Sequence, residues 1–268
     1  MRVLFWNTHK NIAINPIIYD LIVENNISII VLAEYVANSE ELLKALLFEH
    51  GINMEGYYSS CERIKIFGIH ETVEARFDSD HATIQVFNKK DILCCVHLNS
   101  KIYSDNEEHR EILIEQIMHE IQNVEKDLQT QNTIIVGDFN LNPYDSSCIN
   151  ARYFHGLPVY EEAKRKTRVV AGNKYSMFYN PMWRFLGDET HPYGTYYHNN
   201  NSTINTYWNL YDQVIIRPAL RERFVDESLK IITETQSMYL LDNKGHPNKD
   251  ISDHLPISFE IREENCNG

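Results

Sequence analysis

Long apolar runs, paired cysteines and positive charge are all scarce in this chain, and each scarcity excludes something. No stretch approaches the ~18 consecutive apolar residues that cross a bilayer, so no membrane partner is expected. A strand-like segment, RVLFWN, begins directly behind Met1, which argues against a cleaved secretory leader. The five cysteines, Cys61, Cys94, Cys95, Cys148 and Cys266, form an odd set without CxxC spacing, and two of them adjoin inside an apolar run. Such a set suits reduced thiols in a cytoplasmic protein and speaks against a disulfide framework or a zinc site. Lys and Arg total 25 against 38 Asp and Glu, a formal charge of −13. The overall field therefore repels polyanions, which counts against a simple sequence-independent DNA coater. It does not exclude an enzyme acting on phosphoesters, because bound divalent cations reverse the local field. The densest basic stretch, EEAKRKTRVV with Lys164, Arg165, Lys166 and Arg168, reads first as a solvated helix end or loop.

What is present is ample apolar content, 43% of 268 residues, enough to bury a large core. One domain spanning residues 1–268 is expected. Short apolar runs predict strands over 2–7, 27–33, 63–69, 81–87, 92–98, 133–136, 213–217, 230–233 and 257–261. Amphipathic spacing predicts helices over 15–24, 39–50 and 106–128, the second capped by Ser39 and ended by Gly51. In the third, Leu113, Ile117, Ile121, Val124 and Leu128 share one face. Hairpins mixed with crossover helices imply mixed sheets covered by helices, an α/β layered sandwich.

Polar groups with chemical potential recur at the strand ends. NTIIVGDFNLNP carries Asp138 and Asn140 out of an apolar run, and Gly137 suits a tight turn that Asp138 could simply cap. FWNTHK ends the first strand with Asn7, LAEY the second with Glu34, and VHLNS another with His97 and Asn99. YDQV opens a strand with Asp212, and SDHLP sets Asp253 and His254 before the last one. Each alone has an ordinary structural reading as a turn former or packing residue. Six strand ends each offering an oxygen or an imidazole are hard to explain by turn chemistry, whereas loops at one sheet edge are where sites are assembled.

GDFN and SDHLP, with the upstream Asn, Glu and His in this order, resemble the endonuclease/exonuclease/phosphatase superfamily of DNase I-like metal-dependent phosphoesterases, from Phe5 to Pro256. The resemblance implies a four-layer sandwich of two mixed β-sheets flanked by helices, with the site at the shared sheet edge. It implies Glu34 as principal metal ligand with Asn7 beside it and Asp253 completing the site. Hard oxygen donors suit Mg²⁺ or Mn²⁺. Asp138 would orient or deprotonate the attacking water, with Asn140 on a phosphate oxygen and both facing one ligand if the strand continues. His97 and His254 would donate to the developing charge on phosphorus, with Asp212 orienting His254; whether Asp138 or His254 activates water stays open. Asn99 and Arg110 are candidate substrate contacts, and a solvent-facing Arg110 is the plain alternative. The remaining histidines, His9 among them, read as surface or packing residues; Tyr196, Trp208 and Trp183 could stack on a base or sugar or pack under the loops, and packing is the plainer reading. The implied reaction is metal-assisted hydrolysis of a phosphodiester, with nucleic acid the expected substrate. A small or lipid phosphoester, or a binding protein without turnover, is the alternative.

Overall fold

Strands that are apolar at every position need cover on both faces, and the protein meets that need with two stacked sheets. The computed structural model describes residues 1–70, 73–100, 107–201 and 203–263. The first sheet runs, edge to edge, Phe224–Ile231 (β16), Ile257–Ile261 (β17), Arg2–Asn7 (β1), Ile29–Ala33 (β2), Ile64–Gly68 (β4) and Glu55–Gly56 (β3). The second runs Val73–Asp78 (β5), Ala82–Phe87 (β6), Asp91–His97 (β7), Thr133–Asp138 (β8), Asp212–Ile216 (β15), Phe178–Tyr179 (β12) and Gly156–Leu157 (β9). Two ribbons stand apart: Thr167–Val170 with Asn173–Ser176 (β10, β11), and Tyr196–Tyr197 with Trp208–Asn209 (β13, β14). Both sheets are mixed, with β1 parallel to β2 and β7 parallel to β8 among antiparallel neighbours.

Side chains alternate faces along a strand, and this sorts the apolar residues into three layers of core. Val3, Phe5, Val31 and Phe259 of the first sheet meet Leu93, Cys95, Val136 and Val214 of the second. Leu4, Trp6, Ile30 and Leu32 face outward under helices Asn15–Asn25 (α1) and Ser39–His50 (α2). On the other side Ile84, Cys94 and Ile135 pack under Ile114, Ile117 and Ile121 of helix Glu107–Leu128 (α3). The expected four-layer α/β sandwich is the observed one.

Several local expectations are corrected. β8 continues two residues past the predicted end and includes Gly137, so the glycine makes no turn. A Cβ there would lie 1.9 Å from the Val96 carbonyl oxygen, so Gly is required by the close approach of β7. Asn38, and not Ser39, caps α2, its side chain accepting from the Glu40 and Glu41 amides. The strand predicted at 230–233 is the end of the longer β16, which the irregular register between Val225 and Lys230 conceals in the sequence. β5 escaped prediction because its charged residues Glu74 and Arg76 mark a sheet edge. Residue 106, the predicted start of α3, lies outside the described residues.

The basic stretch lies at the wrong end for catalysis. The β10–β11 ribbon leads into β12, whose Tyr179 pairs with Ile216, the end of β15 remote from Asp212. Lys164 and Arg165 pair with Glu161 and Glu162, so the solvated reading holds. Among the described residues no helix is long and apolar enough to cross a membrane.

Candidate active site

Strand register alone sets three of the polar groups in a row. His97 is the cross-strand partner of Asp138, and Asp138 of Asp212, on adjacent strands β7, β8 and β15. Partners across neighbouring strands share a face. The first sheet supplies the rest: Asn7 closes β1, Glu34 follows β2, and residues 252–254 lead into β17. That last loop is tied to β1, for the Ser252 hydroxyl donates to the Asn7 carbonyl (2.7 Å) and the Trp6 indole donates to the His254 carbonyl (2.8 Å). Asn7 then joins the two sheets, its Nδ2 donating to Asp138 Oδ2 at 3.0 Å.

The charges follow from this packing. His254 Nδ1 lies 2.8 Å from Asp212 Oδ2 and 3.1 Å from Oδ1, with both residues buried. Burial opposes a charged imidazole, but Asp212 and then Asp138 outweigh it and push the His254 pKa up to about 10. Its other nitrogen, Nε2, is 3.9 Å from Asp138 Oδ2 and 4.0 Å from Asp253 Oδ1. Burial raises the Asp138 carboxyl above the ordinary 3.8, opposed chiefly by His254. Both its oxygens accept hydrogen bonds, Oδ2 from Asn7 and Oδ1 from the Asn140 amide at 2.9 Å. His97 is driven the other way: burial lowers its pKa below 6.5 despite Asp138. Its Nε2 sits 3.7 Å from Glu34 Oε1 and 3.8 Å from Asp138 Oδ2, so one neutral imidazole spans the two carboxylates.

A pH titration checks the cationic His254. Its folded pKa lies above the ordinary 6.5, so the stability it contributes is fully present below about pH 6.5 and is lost as pH rises through about 10. In metal-free protein, histidine NMR should show this imidazole keeping its proton to about pH 10, and Asp212→Asn should bring its titration down toward the ordinary range. Loss of the proton near neutrality in the intact protein would overturn the assignment.

The structure thus joins Asn7, Glu34, His97, Asp138, Asp212, Asp253 and His254 through one chain of contacts. Asn140 reaches the cluster differently from expectation. The strand ends at Asp138, Asn140 has left-handed backbone (φ 49), and its Nδ2 donates to the Leu98 carbonyl at 2.9 Å. The two side chains therefore do not share a face by strand alternation; Asp138 instead accepts the Asn140 N–H and shapes the turn. Arg110 is buried on the inner face of α3, which corrects the solvent-facing alternative. Among the described residues no hydrogen bond or ion pair joins Arg110 or the half-buried Asn99 to the cluster.

Three residues at the site were not assigned to it from the sequence. His9, taken as a surface residue, sets Nδ1 3.1 Å from Asp253 Oδ1. Arg63 precedes β4 at the same sheet edge, its carbonyl accepting the Glu34 N–H at 3.1 Å. Tyr196 lies with its ring centroid 4.7 Å from that of His254. His9 and Arg63 each sit within two residues of a strand end, the same signal that marked the others.

Two acidic groupings are candidates for holding a cation. Asp138, Asp212 and His254 offer ligand atoms all within 4.8 Å of one another. His254 Nδ1 is already engaged by both Asp212 oxygens, however, so the geometry of this trio is that of a hydrogen-bonded relay. Glu34 and Asp253 fit better. Among the described residues the Glu34 carboxylate makes no hydrogen bond and is 27% exposed, while Asp253 Oδ1 is buried and has the 3.1 Å contact with His9 Nδ1 but no hydrogen bond. Asn7 Oδ1 accepts the His9 N–H at 3.1 Å and has a second lone pair. Such hard donors suit Mg²⁺ or Mn²⁺.

No family sequence model and no curated protein matches this chain. Solved structures do. A 3′-phosphatase, NExo, from Neisseria, bound to a product DNA hairpin, superposes with a TM-score of 0.60 at 13% identity, over 98% of this chain and 100% of its own. An endonuclease/exonuclease/phosphatase family protein from Leptotrichia buccalis gives 0.57 at 14% identity, over 98% and 100%. An AP endonuclease from Archaeoglobus fulgidus gives 0.54 at 13%, over 97% and 99%. This chain shares their fold.

Proposed function

We propose that the protein is a divalent-metal-dependent phosphodiester hydrolase of the endonuclease/exonuclease/phosphatase type, acting on nucleic acid. The observation that carries this reading is the convergence of the Glu34, Asp138, Asp212 and Asp253 carboxyl groups with the His97 and His254 imidazoles, contributed by both sheets. A phosphodiester anion repels hydroxide, so its hydrolysis needs neutralised charge, an oriented water and a stabilised leaving oxygen. Glu34 and Asp253, with Asn7, would hold the cation, which when bound supplies Lewis-acid polarisation of the phosphoryl oxygen.

The protein's own groups divide the remaining work. His254, cationic and fixed by Asp212, donates Nε2–H to a phosphoryl oxygen and cannot serve as base. Asp138 is the acceptor that orients and deprotonates water, its two carboxylate oxygens aimed by Asn7 and by the Asn140 amide. His97, neutral, sets its Nε2 between Glu34 and Asp138, 3.7 and 3.8 Å away, where one ring N–H can serve either carboxylate or a substrate oxygen. The solved structure of similar fold bound to a product DNA hairpin supports nucleic acid as the substrate class. Phosphoester hydrolysis by water also needs no organic cofactor.

The deciding experiment is hydrolysis of a chromogenic phosphodiester and of DNA and RNA oligomers in Mg²⁺, in Mn²⁺ and in chelator. Metal-dependent turnover is expected. Glu34→Gln should raise the metal concentration needed for half-maximal rate by at least about tenfold, because one anionic ligand becomes neutral. Turnover that persists in chelator, or none on any phosphodiester, would sink the reading.

A further inference from the structure

The sequence between His191 and Tyr211 contains no Lys, Arg, Asp or Glu, yet holds six Tyr or Trp residues and five Asn. In a chain of net charge −13 so long a neutral, aromatic and amide-rich segment is unusual chemistry, and the fold brings it against the candidate active site. Thr195 ties it down: its hydroxyl accepts the Asp212 N–H at 3.2 Å and its carbonyl accepts the Leu255 N–H at 2.8 Å. The next residue, Tyr196, pairs with His254 as an isolated bridge, and its ring lies 4.7 Å from the imidazole, centroid to centroid. Tyr211 stacks on Tyr196 at 5.3 Å and an interplanar angle of 26°. Tyr144, in the loop after β8, is 38% exposed and reaches the same ribbon through a 3.4 Å hydrogen bond to Thr206.

Resting on the phosphodiesterase reading, we propose that Tyr196, with Tyr211 and Tyr144 beside it, is a nucleobase-stacking rim, and that the substrate is single-stranded nucleic acid. A phosphodiester held at His254 brings its attached nucleoside against Tyr196, because the two rings are already in contact. The group recognised there is planar and rich in hydrogen-bonding atoms, the class that tyrosine faces and asparagine amides suit; an acyl chain would call for aliphatic walls. A duplex hides its base faces, whereas a single strand presents them.

Charge points the same way. Strand binding through Lys and Arg contacts would need a basic track, but the densest basic stretch lies at the opposite end of the second sheet and two of its four cations are paired with glutamates. Affinity is thus carried by rings and by the few cationic groups at the site, His254 and Arg63 among them, and depends little on salt. One stacked base is worth at least about fivefold in affinity, so one ring suffices to orient a short oligomer.

The test is fluorescence anisotropy of a labelled hexadeoxythymidylate in Mg²⁺, with all proteins carrying Asp138→Asn to suppress turnover. Tyr196→Ala should weaken binding at least about fivefold, the lower end of one stacked base, while Tyr196→Phe should bind as the parent does. A double-stranded oligomer of the same length should bind more weakly than the single strand. The slope of log affinity against log salt should be no steeper than about −2 for the single strand, as few phosphates are neutralised. A smaller loss in Tyr196→Ala, a steeper slope, or a preference for duplex would overturn the proposal, as would binding to phosphatidylcholine vesicles without binding to the oligomer. Should Tyr196→Ala fail to fold, Tyr144→Ala at an exposed ring carries the same expectation. If wild-type protein hydrolyses the chromogenic diester but the rings prove irrelevant, the stacking inference fails alone; if it hydrolyses no phosphodiester, the underlying reading fails.

Discussion

Asp138→Asn is expected to lower kcat by about 10²–10⁴-fold, the usual contribution of a positioned general base, with KM changed far less. Asp138 is 1% exposed and accepts from Asn7 Nδ2 on one oxygen and from the Asn140 amide on the other. An amide has one acceptor oxygen where the carboxylate has two, so it can keep one of these bonds but must turn a donor toward the other. It also removes the negative charge that attracts the water's proton. The replacement is nearly isosteric, and the strand register of β8 against β7 and β15 does not depend on this side chain. The variant should therefore keep the wild-type circular dichroism, with a urea midpoint lowered only by the cost of the one buried donor left unpaired, about 1–3 kcal/mol. Single-turnover rates in Mg²⁺ read the effect directly. Near-full activity in this variant would remove Asp138 from the chemistry.

The second large effect concerns stability alone. Arg217, 1% exposed, follows β15 at the end remote from the site. Its guanidinium meets Glu125 of α3 through two bonds, Nε to Oε1 at 2.7 Å and Nη2 to Oε2 at 3.2 Å. Nη1 donates to the Met177 carbonyl at 3.1 Å, and the group lies 3.9 Å above the Phe178 ring. The Thr133 hydroxyl donates to Glu125 Oε1 at 2.6 Å. Glu125→Ala would leave a buried cation without its counter-charge and Thr133 without its acceptor, a change that costs about 3–5 kcal/mol. Urea unfolding measures it as a fall in midpoint at unchanged slope. The paired change Glu125→Leu with Arg217→Met should recover most of the loss, because removing both charges also removes the desolvation burden. A Glu125→Ala protein as stable as wild type would show that water reaches the guanidinium and that the pair is not sealed. Neither substitution touches the candidate active site, which is why this region can be read by stability and Asp138 by rate.

Much of the architecture was legible because it is local. Short continuous apolar runs identify β1, β2, β6, β7 and β17 nearly to the residue, and the three- and four-residue spacing in α3 marks the face that is buried. The elements misread are those whose state is decided by neighbours: β8 runs on through Gly137 because β7 crowds it, β16 is interrupted by an irregular register, and β5 carries edge charges. Asn140 shows the same limit at the scale of one side chain. Two residues after Asp138 it would share a face only if the strand continued, and left-handed backbone there sends its amide to Leu98.

By itself the sequence determined which residues stand at strand ends and what their functional groups are, since both depend on periodicity and residue type. Only the tertiary structure decided which ends meet. The Trp6 to His254 bond spans 248 residues and the Asn7 to Asp138 bond 131, and no local preference encodes such separations. Sheet order and register then turn scattered Asn, Asp, Glu and His into one cluster, bring His9, Arg63 and Tyr196 to it unannounced, and leave the basic ribbon at the far end. The protonation states belong to that level too: burial keeps His97 neutral, while Asp212 and Asp138, close enough to outweigh burial, keep His254 charged.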